Sequence, residues 1–187
     1  MKLNTKIIVY IGLLSAISVV LCHFPHFPVL PAFPFLKIDF ADVPSLFAAV
    51  TLNPVSAVIG ELIKNAVQLP TSSTGFVGEI SNFIVGSSFA VSLWVIKRFT
   101  GKNLLMKNKL LYALPVAIVI QTIVAMVSNY YVIAPMYFGA NYDKIVQFVI
   151  YGALPFNLIK GALQSVAFYV LYRGISPYIN KNLYLFK

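Results

Sequence analysis

Five long apolar stretches dominate this chain of 187 residues and restrict what it can fold into. They cover residues 7–22, 43–69, 76–96, 110–133 and 146–171. A helix of about 20 apolar residues crosses the hydrocarbon core of a bilayer. Charged residues make up 10% of the chain and hydrophobic residues 59%, against roughly 25% and 45–50% in soluble domains. We therefore predict an all-α integral membrane protein that forms a single membrane domain over residues 1–187.

The second stretch decides the number of spans. It is interrupted by Asn53-Pro54, where the proline removes a backbone donor and disfavours helix at the residue before it. Ten of the fourteen basic residues fall into three groups: Lys2 and Lys6; Lys97, Arg98, Lys102, Lys107 and Lys109; and Arg173, Lys181 and Lys187. Lysine and arginine accumulate in cytoplasmic loops, and six spans bring all three groups to one side, whereas five do not. We predict spans at about 7–22, 43–53, 54–69, 76–96, 110–133 and 146–171, with both termini cytoplasmic.

The charge distribution also excludes other classes of protein. The formal charge of +9 comes from these cytoplasmic groups, so it does not indicate nucleic-acid binding. The single cysteine, Cys22, excludes an internal disulfide and a cysteine-built metal site. His23 and His26 have metal-ligand spacing but lack a clear third ligand, and we predict no metal site.

The long loop between the first two predicted spans, residues 23–42, is unusually apolar. Four prolines prevent a regular helix, and four phenylalanines precede Lys37. We expect this loop to lie outside the cell and to fold over the helix bundle as a lid. Alternatively, it lies on the bilayer interface.

Polar residues recur at helical spacing inside the spans, where ionisable side chains are costly and usually functional. These polar stripes are Glu61, Lys64, Asn65 and Gln68; Glu79 and Asn82; and Asn157, Lys160 and Gln164, with Asn129 in the fifth span. The sequence predicts that they converge below the outer mouth and bind a flat, hydrogen-bonding small molecule. Lys160 has no acid close to it on its own helix and must find a partner elsewhere. Glu61 and Lys64 either pair structurally or face the ligand.

The sequence contains no P-loop, so uptake of such a ligand would need an ion gradient or a partner that hydrolyses ATP. The two halves show no convincing internal repeat of the kind found in secondary transporters, which favours a partner. Gly12 and Ala16 form a small-xxx-small pair that suits close helix approach, either by that partner or within the bundle. No hydrolase or metalloprotease motif occurs, so an intramembrane enzyme, with Glu61 and Glu79 as acid and base, is the less favoured class.

Four segments in order resemble the riboflavin-specific substrate-binding (S) components of energy-coupling-factor (ECF) transporters. They are residues 33–44 (FPFLKIDFADVP), 61–65 (ELIKN), 78–86 (GEISNFIVG) and 155–161 (PFNLIKG). The resemblance extends from the first span to Arg173. It implies a six-helix protein of the bacterial cell membrane that binds riboflavin from outside. A transmembrane coupling subunit and two ATPase subunits would power uptake, and riboflavin would be the transported ligand rather than a cofactor.

The resemblance also implies which residues bind riboflavin: Lys37, Asp39, Phe40, Glu79, Asn82, Asn129, Asn157 and Lys160. Gly12 and Ala16 would dock on the coupling subunit, with Gly12 standing where such proteins typically have alanine. Because the scaffold also serves other vitamins, an S component for another small ring-bearing nutrient is the alternative.

Overall fold

The computed structural model describes residues 5–100 and 107–182, with side chains for 5–100 and 110–176. The helices are α1 Thr5–His23, α2 Val43–Thr51, α3 Pro54–Gln68, α4 Val77–Thr100, α5 Lys107–Ser128, α6 Ala134–Phe138, α7 Tyr142–Phe148 and α8 Leu154–Asn182. Two short strands, β1 Phe27–Pro28 and β2 Lys37–Ile38, precede α2. Of the basic residues used to orient the chain, Lys2, Lys102 and Lys187 lie outside the described residues, as do the side chains of Lys107, Lys109 and Lys181.

The break predicted in the second apolar stretch is present. Asn53 has extended backbone, and its side chain accepts a hydrogen bond from the Ser56 backbone amide at 2.9 Å, which caps the start of α3. Pro54 occupies the first turn, where its missing donor has no cost. α2 and α3 pack against each other and against α1 and α4.

Within the described part of the chain, four segments are long and apolar enough to cross a membrane: Thr5–His23, Val77–Thr100, Leu110–Phe138 and Tyr142–Ser176. The last two are longer than single α-helices because π-helical turns at Asn129–Ile133 and Val149–Ala153 join α5 to α6 and α7 to α8. α2 and α3 are not among these four. The protein is therefore a predominantly helical membrane protein.

α2 lies at the centre of the bundle. Its residues from Val43 to Val50 are all buried, as expected for a helix that is apolar on every side. Phe47 packs edge-to-face on Phe168 of α8, with ring centroids 4.9 Å apart, and the core continues into α4 and α5. This core packs α2 against α4 and α8, and α5 packs in turn against α4 and α8.

The proline-rich segment between α1 and α2 is folded back on itself. β1 and β2 pair antiparallel, with Phe27 opposite Ile38 and Pro28 opposite Lys37. Phe33 and Phe35 pack against Phe148 of α7, with ring centroids 5.3 Å and 5.9 Å from it. Phe33 and Phe35 therefore pack on the helices after α5, over the end of the bundle where α1 and α3 finish and α4 begins, whereas Phe24 and Phe27 are exposed.

Candidate ligand-binding site

A cavity with a volume of about 1110 Å³, including its open mouth, lies beneath the folded-back segment. Residues from the end of α1, from β2, from the α3–α4 loop, from the two π-helical turns, and from α4, α6, α7 and α8 line it. Its lining combines apolar and aromatic walls with a few convergent polar groups, which is typical of small-molecule sites.

The structure brings most of the predicted site residues to this one cavity. Those that line it are Lys37, Asp39, Glu79, Asn82, Asn129, Asn157 and Lys160. Phe40 is not part of the lining; it packs against the hydrophobic core around α2. Successive side chains point in different directions here, so Asp39 faces the cavity while Phe40 points away from it.

The floor of the cavity is a buried ionic cluster. The Lys160 ammonium lies 3.3 Å from Asp39 Oδ2, 3.4 Å from Asp42 Oδ2 and 3.3 Å from Asn82 Oδ1. Gln164 donates from its side-chain amide to Asp42 Oδ2 at 2.8 Å and to the Asp39 backbone carbonyl at 3.1 Å. The partner that Lys160 required thus comes from the segment before α2, which ties that segment to α8.

Behind this floor, Lys64 joins two carboxylates. Its ammonium contacts Asp42 and lies 2.5 Å from Glu61 Oε2 on the preceding turn. Glu61 and Lys64 are almost fully buried and do not line the cavity, so the structure favours a structural pair over direct ligand contact. A Cβ on Gly86 would meet the Glu61 carboxyl group, so glycine lets α4 approach α3 here.

Two asparagines are oriented by their own helices. The side-chain amides of Asn129 and Asn157 donate to the backbone carbonyls of Ala125 and Ala153, each at 2.7 Å. Asn129 opens one π-helical turn, and Ala153 closes the other. One of the two N–H groups of each side chain is engaged in this way, so each asparagine has its oxygen as an acceptor and its second N–H as a donor for a ligand. π-helical turns of this kind often occur at functional sites.

Glu79, in the first turn of α4, provides a carboxylate at the cavity wall. Its Oε2 accepts hydrogen bonds from the hydroxyls of Ser72 at 2.8 Å and Thr74 at 3.2 Å. Its side chain is buried beside the lining residues Asn82 and Tyr137. This carboxylate suits the recognition of hydroxyl or N–H donors on a ligand.

The remaining wall is aromatic. Phe35, Tyr137, Phe148 and Phe156 line the cavity, and Phe35 and Tyr137 have ring centroids 5.3 Å apart. Aromatic faces and edges of this kind pack well against a flat conjugated ring. The cavity therefore combines an aromatic wall with a polar floor.

The two histidines lie at the mouth. His26 Nδ1 is 2.7 Å from the His23 carbonyl, and His23 Nε2 is 3.4 Å from Thr71 Oγ1 across the opening. Cys22 is buried and also lines the cavity. Among the described residues, no group of three or more histidine, cysteine or acidic side chains is arranged to hold a metal ion.

Several lining residues were not identified from the sequence. Asp42 contacts both buried lysines, Lys64 and Lys160. The only indication of this in the sequence was that Lys160 needed an acidic partner on another element. Thr74, Tyr137 and Phe148 lie in or beside short loops and helices, where no periodic pattern marks a buried face. Their roles depend on how the loops fold together.

Gly12 and Ala16 lie on the exposed face of α1, and a Cβ on Gly12 would meet no atom within 4 Å. They do not serve helix packing within the described bundle, which was the alternative to docking. Ile8, Val9 and Leu13 of α1 are exposed as well.

Comparisons with known proteins agree with this architecture. Residues 6–172 match the family model described as the substrate-specific component of ECF transporters. The chain is 36% identical to the riboflavin transporter RibU of Staphylococcus aureus, over 96% of this chain and 97% of that protein. It is 33% identical to the riboflavin transporter FmnP of Bacillus subtilis, over 96% of this chain and 97% of that protein.

A solved structure of the S component of a bacterial ECF transporter superimposes with a TM-score of 0.79 at 36% identity, covering 93% of this chain and 97% of that one. The relatives are transporter components rather than enzymes, as the sequence predicted. The family match, the identity to full-length relatives and the shared fold lead to one conclusion: the chain belongs to the substrate-specific component family of ECF transporters.

Proposed function

We propose that this protein captures riboflavin in the cavity under the folded-back segment and delivers it for uptake as the S component of an ECF transporter. The observation that carries the proposal is the convergence of seven predicted site residues on one cavity with an aromatic wall and a polar floor. Relatives at 33–36% identity over nearly their whole length are named riboflavin transporters.

The chemistry of the lining suits riboflavin, which has a flat tricyclic ring and a neutral polyol tail. Aromatic side chains such as Phe35, Tyr137 and Phe148 suit the ring. Amide oxygens, a carboxylate and an ammonium suit the N–H, carbonyl and hydroxyl groups. On this proposal the binding residues are Lys37, Asp39, Glu79, Asn82, Asn129, Asn157 and Lys160. Phe40, which packs on the core, would act indirectly by fixing Asp39 next to it.

The proposal includes six membrane passes in one domain over residues 1–187, with both termini in the cytoplasm. Support comes from the residues that line the cavity. They come from the ends of α1 and α3 and from the beginnings of α4 and α8, as helices that alternate in direction require. Lys6, Lys97 and Arg173 lie toward the opposite ends of their helices, as the positive-inside rule requires. The cavity would then open to the outside of a bacterial cell membrane.

A coupling partner is part of the proposal, because the sequence has no P-loop of its own. Such a partner would comprise a transmembrane coupling subunit and two ATPase subunits. The exposed Gly12 and Ala16 on α1 provide a smooth surface for a partner helix. A Gly12→Trp variant should bind riboflavin normally but lose uptake in the full complex. Normal uptake by that variant would remove α1 from docking.

The binding proposal is tested with the chain expressed alone and purified in detergent. We expect flavin absorption bands in the purified protein, or stoichiometric quenching of riboflavin fluorescence on titration. Asn157→Ala and Lys160→Met should weaken binding by roughly 5- to 100-fold, the cost of one or two hydrogen bonds. The exposed Lys144 provides the matched control, and Lys144→Met should bind as the wild type does. A colourless protein that quenches no riboflavin would overturn the flavin assignment and direct the search to other ring-bearing vitamins.

A further inference from the structure

The loop between α3 and α4 holds a small hydrogen-bonded structure around Glu79. Ser72 Oγ accepts hydrogen bonds from the backbone amides of Thr74 and Phe76, each at 3.2 Å. Thr74 Oγ1 accepts one from the Gly78 amide at 3.1 Å. Two amides occupy both lone pairs of the Ser72 hydroxyl, and one amide occupies a lone pair of the Thr74 hydroxyl, whose oxygen lies 3.3 Å from Ser72 Oγ. Each hydroxyl therefore has its proton to donate to a further acceptor.

That further acceptor is the same carboxylate oxygen in both cases. Ser72 donates to Glu79 Oε2 at 2.8 Å and Thr74 donates to it at 3.2 Å. Among the described side chains, no other hydroxyl donates to Glu79. Two neutral donors on one oxygen fix the rotation of the carboxylate and leave Oε1 for the cavity that Glu79 lines.

The backbone of the loop is adapted to this arrangement. Gly75 and Phe76 have φ values of +58° and +74°, and a phenylalanine is disfavoured there. The Phe76 side chain is 56% exposed, so its packing does not account for the conformation. At Gly78, a Cβ would come within 2.6 Å of Thr74 Oγ1, so only glycine lets that hydroxyl approach α4. Strained backbone that persists in a structure tends to occur at functional sites.

We propose that Ser72 and Thr74 are positioning residues, which aim the Glu79 carboxylate so that its free oxygen accepts a hydrogen bond from the bound ligand. This inference rests on the proposed riboflavin site and adds two residues to it. The backbone amides polarise the hydroxyls, and the hydroxyls in turn fix the carboxylate.

The test is a double-mutant cycle read by riboflavin fluorescence titration of the full chain in detergent. Ser72→Ala should weaken binding on the order of tenfold, whereas Ser72→Thr, which keeps the hydroxyl, should stay within about twofold of the wild type. In a Glu79→Gln background, which itself binds more weakly, Ser72→Ala should cause no further loss beyond about twofold. Ser88→Ala is the matched control, because the Ser88 hydroxyl donates to the Val85 carbonyl and does not line the cavity.

The outcomes separate the two proposals. Wild-type affinity in Ser72→Ala or in Glu79→Gln would overturn the positioning role while leaving the riboflavin site intact. An equal loss from Ser72→Ala with and without Glu79→Gln would show that Ser72 acts by holding the loop, and would also overturn it. A wild-type protein that binds no riboflavin would overturn both proposals. Thermal unfolding of each variant identifies any general loss of folding.

Discussion

Replacing Lys64 with methionine should destabilise the protein far more than its single charge suggests. Lys64 is 2% exposed and contacts the carboxylates of Asp42 and Glu61, which are 3% and 0% exposed. Methionine has a similar volume and fills the space, so the substitution isolates the electrostatic contribution. The substitution leaves the three carboxylates of Asp39, Asp42 and Glu61 with one buried ammonium, that of Lys160.

The expected magnitude follows from the cost of an uncompensated buried charge. Removing one partner of a buried ion pair costs about 3–5 kcal/mol. For a chain of this size, each kcal/mol lowers the unfolding midpoint by roughly 2–4 °C. We therefore expect the midpoint of Lys64→Met to fall by roughly 6–20 °C.

Asp42→Asn provides the contrast, because it changes the formal charge of the same cluster in the opposite direction. The cluster then has two carboxylates and two ammoniums instead of three and two. Lys64 keeps its ion pair with Glu61, and Lys160 keeps its ion pair with Asp39. We expect Asp42→Asn to lower the free energy of unfolding by less than about 2 kcal/mol, since the asparagine oxygen can still accept hydrogen bonds.

The assay is thermal unfolding in one detergent, followed by circular dichroism, with Lys144→Met as the control for losing an exposed lysine. The control should stay within about 0.5 kcal/mol of the wild type. A Lys64→Met midpoint equal to that of the wild type would refute the charge argument. So would a larger loss in Asp42→Asn than in Lys64→Met.

Two further substitutions test close approaches in the bundle. Gly86→Ala should lower the unfolding midpoint because its methyl group would meet the Glu61 carboxyl group, whereas Gly174→Ala, with no atom within 4 Å, should leave the midpoint unchanged or slightly higher. Gly152→Val should detach the folded-back segment, because a Cβ at residue 152 already meets the Phe33 ring at 3.1 Å. Amide hydrogen exchange should then rise in residues 24–36, and unchanged protection there would contradict the packing assigned to Phe33.

Much of the helical framework could be predicted from the sequence because strong local rules specify it. Proline and asparagine chemistry located the break at Asn53-Pro54, and the structure has the same break. Helical periodicity placed Asn157, Lys160 and Gln164 on one face, and all three meet at the floor of the cavity or just behind it.

The sequence was less informative where contacts depend on loops. The path of the chain from β2 into α2 determines which way the Phe40 side chain points, and no periodic pattern in the sequence encodes that path. Asp42 became the partner of two lysines from α3 and α8 only through tertiary packing. The hydroxyls of Ser72 and Thr74 lie in a short polar loop, where serine and threonine are common for local reasons as well.

The central claim is that the cavity between the folded-back segment and α8 is a specific riboflavin site. Its most direct test is a fluorescence titration of the purified chain with riboflavin, repeated with an excess of another ring-bearing vitamin such as thiamine. We predict quenching that saturates at one riboflavin per chain and is not reversed by the competitor. Absence of quenching, or its complete reversal by thiamine, would contradict the claim.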